Sequence, residues 1–428
     1  MKNIIKDLEV VNYILETKNK VKISSKEILK NDIFLALKGK NYHGNSFINE
    51  ALKNKAKYII TDRKIILKKN QKKVLLVKNI FNFLLKIAKK KRNIFKGKVI
   101  GITGSVGKTS VKENLKFFLS SEFNVSASIK SYNNFLGVLI TLLNFDLKSD
   151  FAIFEIGTNN FNEIKKLTSL ISPHQTIITN IFPTHLENFK NTRNIAKEKS
   201  DIFNIKFNRS IKLAVLPNSN NDESFIINKA IKKNVPNIIT FGENSNSDFF
   251  IKKIVNKKKN LFNVNLQNNK DKLLITIGTS QTHQVLNVIL CLIIFRFNNL
   301  NLKQFYKKAK KIPNLEGRGL ENNIHIDEKK IRFIDQSYNA SPITMKNSIT
   351  YFNDLKINKN TNKYLILGDM NELGLKSKIY HKEIIEYIIS LNLKKVILCG
   401  NLFKSALNSF KIENRNIEYI KNKNEIFK

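Results

Sequence analysis

The sequence predicts an α/β protein in three units, the middle one built on a parallel sheet. Three observations carry that expectation. Apolar runs at 99–103, 151–156, 176–181, 213–216 and 237–241 alternate with stretches of helical periodicity, the pattern of strands joined by helical crossovers. The first run passes into Gly101-Ile102-Thr103-Gly104-Ser105-Val106-Gly107-Lys108-Thr109-Ser110 and then a helical stretch over 111–119, which sets a glycine-rich turn between strand and helix. A length of 428 residues is enough for two or three domains, each with its own core.

Composition narrows the function classes. With 42% hydrophobic and 25% charged residues the chain is not a disordered tail. The longest apolar run, 288–295, is closed by Arg296 and falls far short of the roughly 18 residues of a spanning helix, so no membrane span is expected. Charges in Met1-Lys2-Asn3-Ile4-Ile5-Lys6-Asp7 interrupt what would be the apolar part of a signal peptide, and a cytoplasmic protein is expected. Two cysteines, Cys291 and Cys399, make no disulfide framework and have no metal-ligand spacing; both read as buried thiols. The net charge of +41 invites a nucleic-acid reading. Its lysines, however, are interleaved with asparagine through every segment rather than gathered in a stripe with aromatics, so no nucleic-acid partner is expected. The resulting positive field attracts anionic small substrates.

Taken in order, residues 1–95 form the first unit, with strands over 32–39 and 57–61, a helical turn or two over 47–52 and a Lys-rich amphipathic connector helix over 79–94. The second unit, 96–310, carries the glycine-rich turn. Glycines let backbone N–H groups face an anion, the helix N-terminus adds partial positive charge, Lys108 can reach terminal phosphates and the Thr109 hydroxyl can hold Mg²⁺. The turn is compact. A general phosphate loop has a glycine five residues before Gly107, where Ile102 stands. Glu155 ends the apolar run 151–156, and a carboxylate there is costly to bury without a partner. A Mg²⁺ shared with Thr109 is one such partner, and an exposed strand-end acid is the alternative. His185 follows the run 176–181, at the end of the sheet where ligands bind. The third unit, 311–428, continues the α/β pattern.

The compact Thr-Gly-Ser-x-Gly-Lys-Thr resembles the loop of the ATP-dependent Mur ligases and folylpolyglutamate synthases. Further strings resemble the Mur ligases in order along the whole chain. The segment 34–39 with His43-Gly44 and Phe47-Ile48 looks like their UDP-binding N-terminal domain, with Ser24-Ser25-Lys26 where Asp-Ser-Arg is usual; Ser25 and Lys26 would meet the substrate there, lysine lacking the bidentate fork of arginine. Asn133-Asn134-Phe135-Leu136-Gly137-Val138 looks like a string that contacts the muramyl peptide, implying substrate roles for Asn133 and Asn134. Asn180…His185-Leu186-Glu187 and Lys199, three residues before Ile202-Phe203, imply a second Mg²⁺ held by His185 and a carbamylated Lys199; Lys197 lacks that spacing. His283-Gln284-Val285-Leu286-Asn287 implies that Asn287 meets the adenine, with a helix cap as the alternative. Gly317-Arg318 implies an arginine that crosses to the nucleotide from the last domain.

Asp335-Gln336-Ser337-Tyr338-Asn339-Ala340 and Gly368-Asp369-Met370-Asn371-Glu372-Leu373-Gly374 resemble strings of the family branch that adds D-alanyl-D-alanine. They imply nucleotide contact at Asp335 and substrate contact at Asn339, in a Rossmann-like last domain. A final strand and helix around Leu-x-Lys-Gly-Ser is expected and not met, so that domain reads as shortened or cut. Together the resemblance implies a monomeric ATP-dependent ligase that joins D-alanyl-D-alanine to UDP-N-acetylmuramoyl-tripeptide, with two Mg²⁺ ions. Its nucleotide residues are Gly104, Ser105, Val106, Gly107, Lys108, Thr109, Ser110, Asn287, Arg318 and Asp335. Lys108, Glu155, His185 and Lys199 carry the catalysis, and Thr109, Glu155, His185 and Lys199 the metal. The rivals are a folylpolyglutamate synthase-like ligase, a nucleic-acid-binding loop protein and a cell-wall scaffold that has lost catalysis.

Overall fold

The computed structural model describes residues 2–18, 20–67, 70–204, 211–258, 261–268, 271–279, 282–326, 329–357, 361–391, 393–410 and 416–421. Among these the strands form four sheets. Val21–Lys22, Ile33–Ala36, Tyr58–Thr61 and Val74–Leu76 make a parallel sheet in that order. The amphipathic connector follows as helix Ile80–Ile94, opened by Asn79, whose side chain accepts from the Asn82 N–H at 2.8 Å.

The central sheet has Lys98–Thr103 in its middle, between Phe151–Glu155 and Gln175–Ile178. Val125–Ala127 lies beyond the first neighbour, and Leu213–Pro217 and Ile238–Gly242 beyond the second, all parallel. The sheet then turns mixed. Phe249–Lys258 adds in parallel, and Leu261–Asn268 and Asp271–Gly278 follow antiparallel. These three strands extend the expected parallel sheet.

The strand expected over 176–181 stops at Ile178, because Thr179 and Asn180 turn out to brace the glycine-rich loop. The strand over 32–39 likewise ends at Ala36. Helix Lys2–Glu16, which the sequence reading did not anticipate, packs Val10 and Ile14 into the core. The third unit holds a hairpin, Leu320–Ile326 with Lys329–Asp335, and a parallel sheet of Tyr364–Gly368, Lys395–Cys399 and Ile417–Ile420. Cys291 is buried as expected, but Cys399 is only half-buried, at the end of its strand in this small sheet.

One apolar cluster runs from the first unit into the second: Val10, Ile33, Leu35, Ile80 and Leu84 are continuous with Val138, Leu142, Phe154 and Ile178. Polar groups reinforce the junction. Asn144 takes the Val21 N–H on its side-chain oxygen at 2.7 Å and donates to the Val21 carbonyl at 2.9 Å, and Lys91 donates to the Leu143 carbonyl at 2.6 Å. The third unit has a separate core around Ile349, Met370, Ile385, Leu398 and Phe403.

Candidate active site

The glycine-rich loop leaves the central strand through Gly104, at φ 143°, where a Cβ would stand 1.9 Å from the Thr179 hydroxyl oxygen. Gly107, at φ 85°, opens helix Lys108–Leu119 and faces the side-chain oxygen of Asn287, on helix Thr282–Phe297. Only glycine suits both places. The segment after Ile178 braces the loop from below. Thr179 Oγ1 and Asn180 Nδ2 donate to the Val106 carbonyl at 2.6 and 3.1 Å, Asn180 Oδ1 accepts the Val106 N–H at 3.0 Å, and the Ser105 hydroxyl accepts the Phe182 N–H at 2.9 Å. Sequence reasoning missed Thr179 and Phe182, whose only signal is their place after a core strand. Ser110 is buried in the first turn of the helix.

Lys108 folds back on the loop, donating to the carbonyls of Gly104 at 2.8 Å and Ser105 at 3.0 Å. Burial lowers its pKa, the Glu155 charge opposes that shift and Arg318 adds to it, so both groups are near it. Thr109 accepts from Arg318 Nη2 at 3.0 Å. Glu155 is 1% exposed. Its Oε1 accepts from Asn133 Nδ2 at 2.8 Å, whereas Oε2 is buried without a hydrogen bond. Such an oxygen calls for a partner of positive charge.

His185 has the left-handed φ of 53° ahead of the short helix Leu186–Phe189. Its Nδ1 lies against the carboxylate of Glu372, which reaches over from the third unit and was not foreseen as a site residue. The Glu372 carbonyl also accepts the Glu187 N–H at 3.2 Å. Burial pushes the His185 pKa down, Glu372 resists, and the nearby cations Lys108 and Lys199 push the same way as burial. Lys199, 2% exposed at the end of helix Thr192–Lys199, has its pKa held well below the ordinary lysine value by burial first and then by Lys108. Lys197 is exposed.

Other expected site residues have local duties. Asn133 holds Glu155, and Asn134 caps helix Phe135–Asn144, accepting the Gly137 N–H at 2.9 Å. Asp335 accepts from the Ser337 N–H and hydroxyl at 2.9 and 2.7 Å, while its carbonyl takes the Gly319 N–H at 2.7 Å and closes the turn that carries Arg318. Asn339 is exposed. Ser25 donates to Glu50 at 2.5 Å just beyond strand Val21–Lys22, with Lys26 exposed beside it. The structure thus gathers Lys108, Thr109, Glu155, His185, Lys199, Asn287 and Arg318 about the loop.

Among the described residues no group of three or more His, Cys, Asp or Glu side chains could hold a metal ion. A cation held between Thr109 and Glu155 would complete its shell with water or phosphate oxygens, the usual habit of Mg²⁺. Among the same residues no helix is long and apolar enough to cross a membrane.

Fold and loop together define an α/β protein that binds nucleotide phosphates at the carboxyl ends of its strands. The family model of the Mur ligase middle domain matches residues 102–295. UDP-N-acetylmuramoyl-tripeptide–D-alanyl-D-alanine ligase of Rickettsia prowazekii is 35% identical over 385 residues, 89% of this chain and 82% of the relative. A crystal structure of MurF from Acinetobacter baumannii superposes with TM-score 0.78 at 25% identity, covering 95% of this chain and 85% of that one. MurF ligase from Thermotoga maritima in complex with ADP gives TM-score 0.75 at 25% identity, covering 97% and 90%. The chain belongs to the Mur ligase family, in the branch of the UDP-N-acetylmuramoyl-tripeptide–D-alanyl-D-alanine ligases.

Proposed function

We propose that the protein is an ATP-dependent ligase that joins D-alanyl-D-alanine to UDP-N-acetylmuramoyl-tripeptide in peptidoglycan precursor synthesis. The observation that carries the reading is the compact loop with the orphaned Glu155 oxygen beside it. A carboxylate resists attack by an amine because its oxide leaves poorly. Transfer of the γ-phosphoryl group of ATP to the tripeptide carboxylate makes an acyl phosphate and ADP; the dipeptide amine then attacks the acyl carbon, loses a proton and expels phosphate.

In this reading the loop N–H groups and the start of helix Lys108–Leu119 receive the phosphates. Lys108 exchanges its two carbonyl partners for phosphate oxygens, and Arg318 leaves the Thr109 hydroxyl for the nucleotide. Thr109 and Glu155 would hold one Mg²⁺, and His185 with Lys199 a second. Bound there, the cations offset the charge of triphosphate and carboxylate. Burial and the Lys108 charge favour a neutral Lys199 amine. A neutral amine adds CO₂ to give a carbamate and a proton, which replaces a repelled cation by oxygen ligands.

We further assign residues 1–95 to the UDP-linked substrate, 96–310 to ATP and 311–428 to closure over the site, in a cytoplasmic monomer. The deciding experiment is ADP release with UDP-muramyl-tripeptide, with and without D-alanyl-D-alanine. Dependence on the dipeptide is expected; turnover with a folate and glutamate instead overturns the assignment. For the carbamate, ¹³C-bicarbonate is expected to give a carbamate resonance that Lys199→Arg abolishes, and its absence from the wild type removes that assignment.

A further inference from the structure

Arg318 is a cation kept largely from water, and burial draws its pKa below that of a free guanidinium. Glu155 and, more weakly, Glu113 act on its charge; at contact distance it meets the Thr109 hydroxyl and Tyr338, whose ring centroid lies 4.3 Å from the guanidinium carbon. Tyr338 is itself fixed at both ends. Its N–H donates to the Gly317 carbonyl at 3.2 Å, and its hydroxyl meets that of Ser131, two residues before the Asn133 that holds Glu155. The fit is close: Gly317 has φ 67°, and a Cβ there would stand 2.8 Å from the Tyr338 Cβ.

From this chain of contacts we infer that Tyr338 is a positioning residue for the nucleotide. Its ring face aims Arg318 at the glycine-rich loop, where Glu155 also lies near the guanidinium, and the contact of its hydroxyl with Ser131 is dispensable for that aim. The inference rests on reading the loop as the ATP site. A guanidinium over an aromatic face is attracted by the ring's quadrupole, and a ring without its hydroxyl keeps that face.

The test measures ADP affinity of the full-length chain by titration calorimetry. Tyr338→Phe is expected to stay within about twofold of wild type and Tyr338→Leu to bind about tenfold more weakly. The double variant with Arg318→Ala is expected to bind no more weakly than Arg318→Ala alone, because the ring acts through the arginine. KM for the UDP-linked substrate should stay within about twofold in Tyr338→Leu, a split that general loosening of the fold does not produce. Tyr338 is 48% exposed, and should the leucine variant fail to fold, Tyr338→Met serves the same comparison. Wild-type affinity in the leucine variant, or losses that multiply in the double variant, overturns the inference. Wild type that binds no ADP overturns the ATP-site reading and this inference with it; ADP binding with multiplied losses overturns this one alone.

Discussion

Lys108 spends its hydrogen bonds on two carbonyls of its own loop, so its removal should cost the fold little. Its proposed part is toward charge that moves during phosphoryl transfer. Lys108→Ala is therefore expected to lower kcat by at least about 10²-fold with an unchanged melting temperature, as steady-state kinetics and calorimetry would show. A mutant that melts early would defeat the catalytic role. Residues of this kind were legible in the sequence because strand, glycines and lysine sit within a dozen positions. Tyr338 and Glu372 were legible only as members of strings. Their partners, Ser131 and His185, lie far away in the chain, and nothing local in the sequence marks such a contact.

At the scale of elements, a side chain that looks like a ligand can be a cap. Asn134 accepts the Gly137 N–H at the start of helix Phe135–Asn144. Asn134→Ala is expected to cost about 1 kcal/mol, seen as a lower urea midpoint, while Asn134→Ser restores most of it and KM for the UDP-linked substrate is unchanged in both. A rise in KM without loss of stability would instead favour the substrate contact expected of Asn134 from the sequence. His174 links the beginning of strand Lys98–Thr103 to its neighbour by accepting the Val99 N–H at 2.9 Å on Nδ1. Burial, and then the charges of Arg92, Lys212 and Lys98, push its pKa down to about 4. An unfolded histidine titrates near 6.5, so between about 6.5 and 4 the unfolded chain binds the extra proton. This contribution to stability is complete above that window and is lost as the pH falls through it. Urea midpoints against pH should therefore decline less steeply over that range in His174→Gln than in wild type.

Strand Phe249–Lys258 escaped the sequence reading for a local reason, unlike Leu261–Asn268, whose buried Phe262, Val264 and Leu266 alternate with more exposed neighbours. Register shifts between Ile251 and Lys253 and between Asn256 and Lys258 move the alternation by one residue, so the period of two that marks a half-buried strand does not run through Phe249–Lys258. Parallel core strands have no such problem. They are buried on both faces and read as continuous apolar runs.

For the whole molecule, the decisive fact is how the cores are divided. The first two units share an apolar cluster across residue 95, whereas the third has its own and meets the second through Tyr380, packed on the shared cluster, and through the polar contacts of Arg318 with Thr109, Tyr338 with Ser131 and Glu372 with His185. Polar contacts between units open more readily than a shared core. Hydrogen exchange is expected to show 320–335 and 364–399 opening independently of 98–178, with ADP slowing exchange in the hairpin that follows Arg318. Uniform protection across all three, with no response to ADP, would contradict the division. The net charge of +41 adds a second expectation. KM for ATP should rise as salt is raised from about 0.01 to 0.15 M, where the screening length falls from roughly 30 to 8 Å.

With the first unit assigned to the UDP-linked substrate as proposed, the shared core also limits how that recognition can change over time. A foreign first unit grafted at residue 95 would have to reproduce the surface that Val138 and Leu142 fill, the carbonyl that Lys91 seeks and the paired bonds of Asn144 to Val21. A graft that lacks them leaves that junction poorly packed. Exchange of a single exposed side chain, such as the proposed substrate residue Lys26 in the turn Ser25–Glu27, leaves the packing beneath it undisturbed.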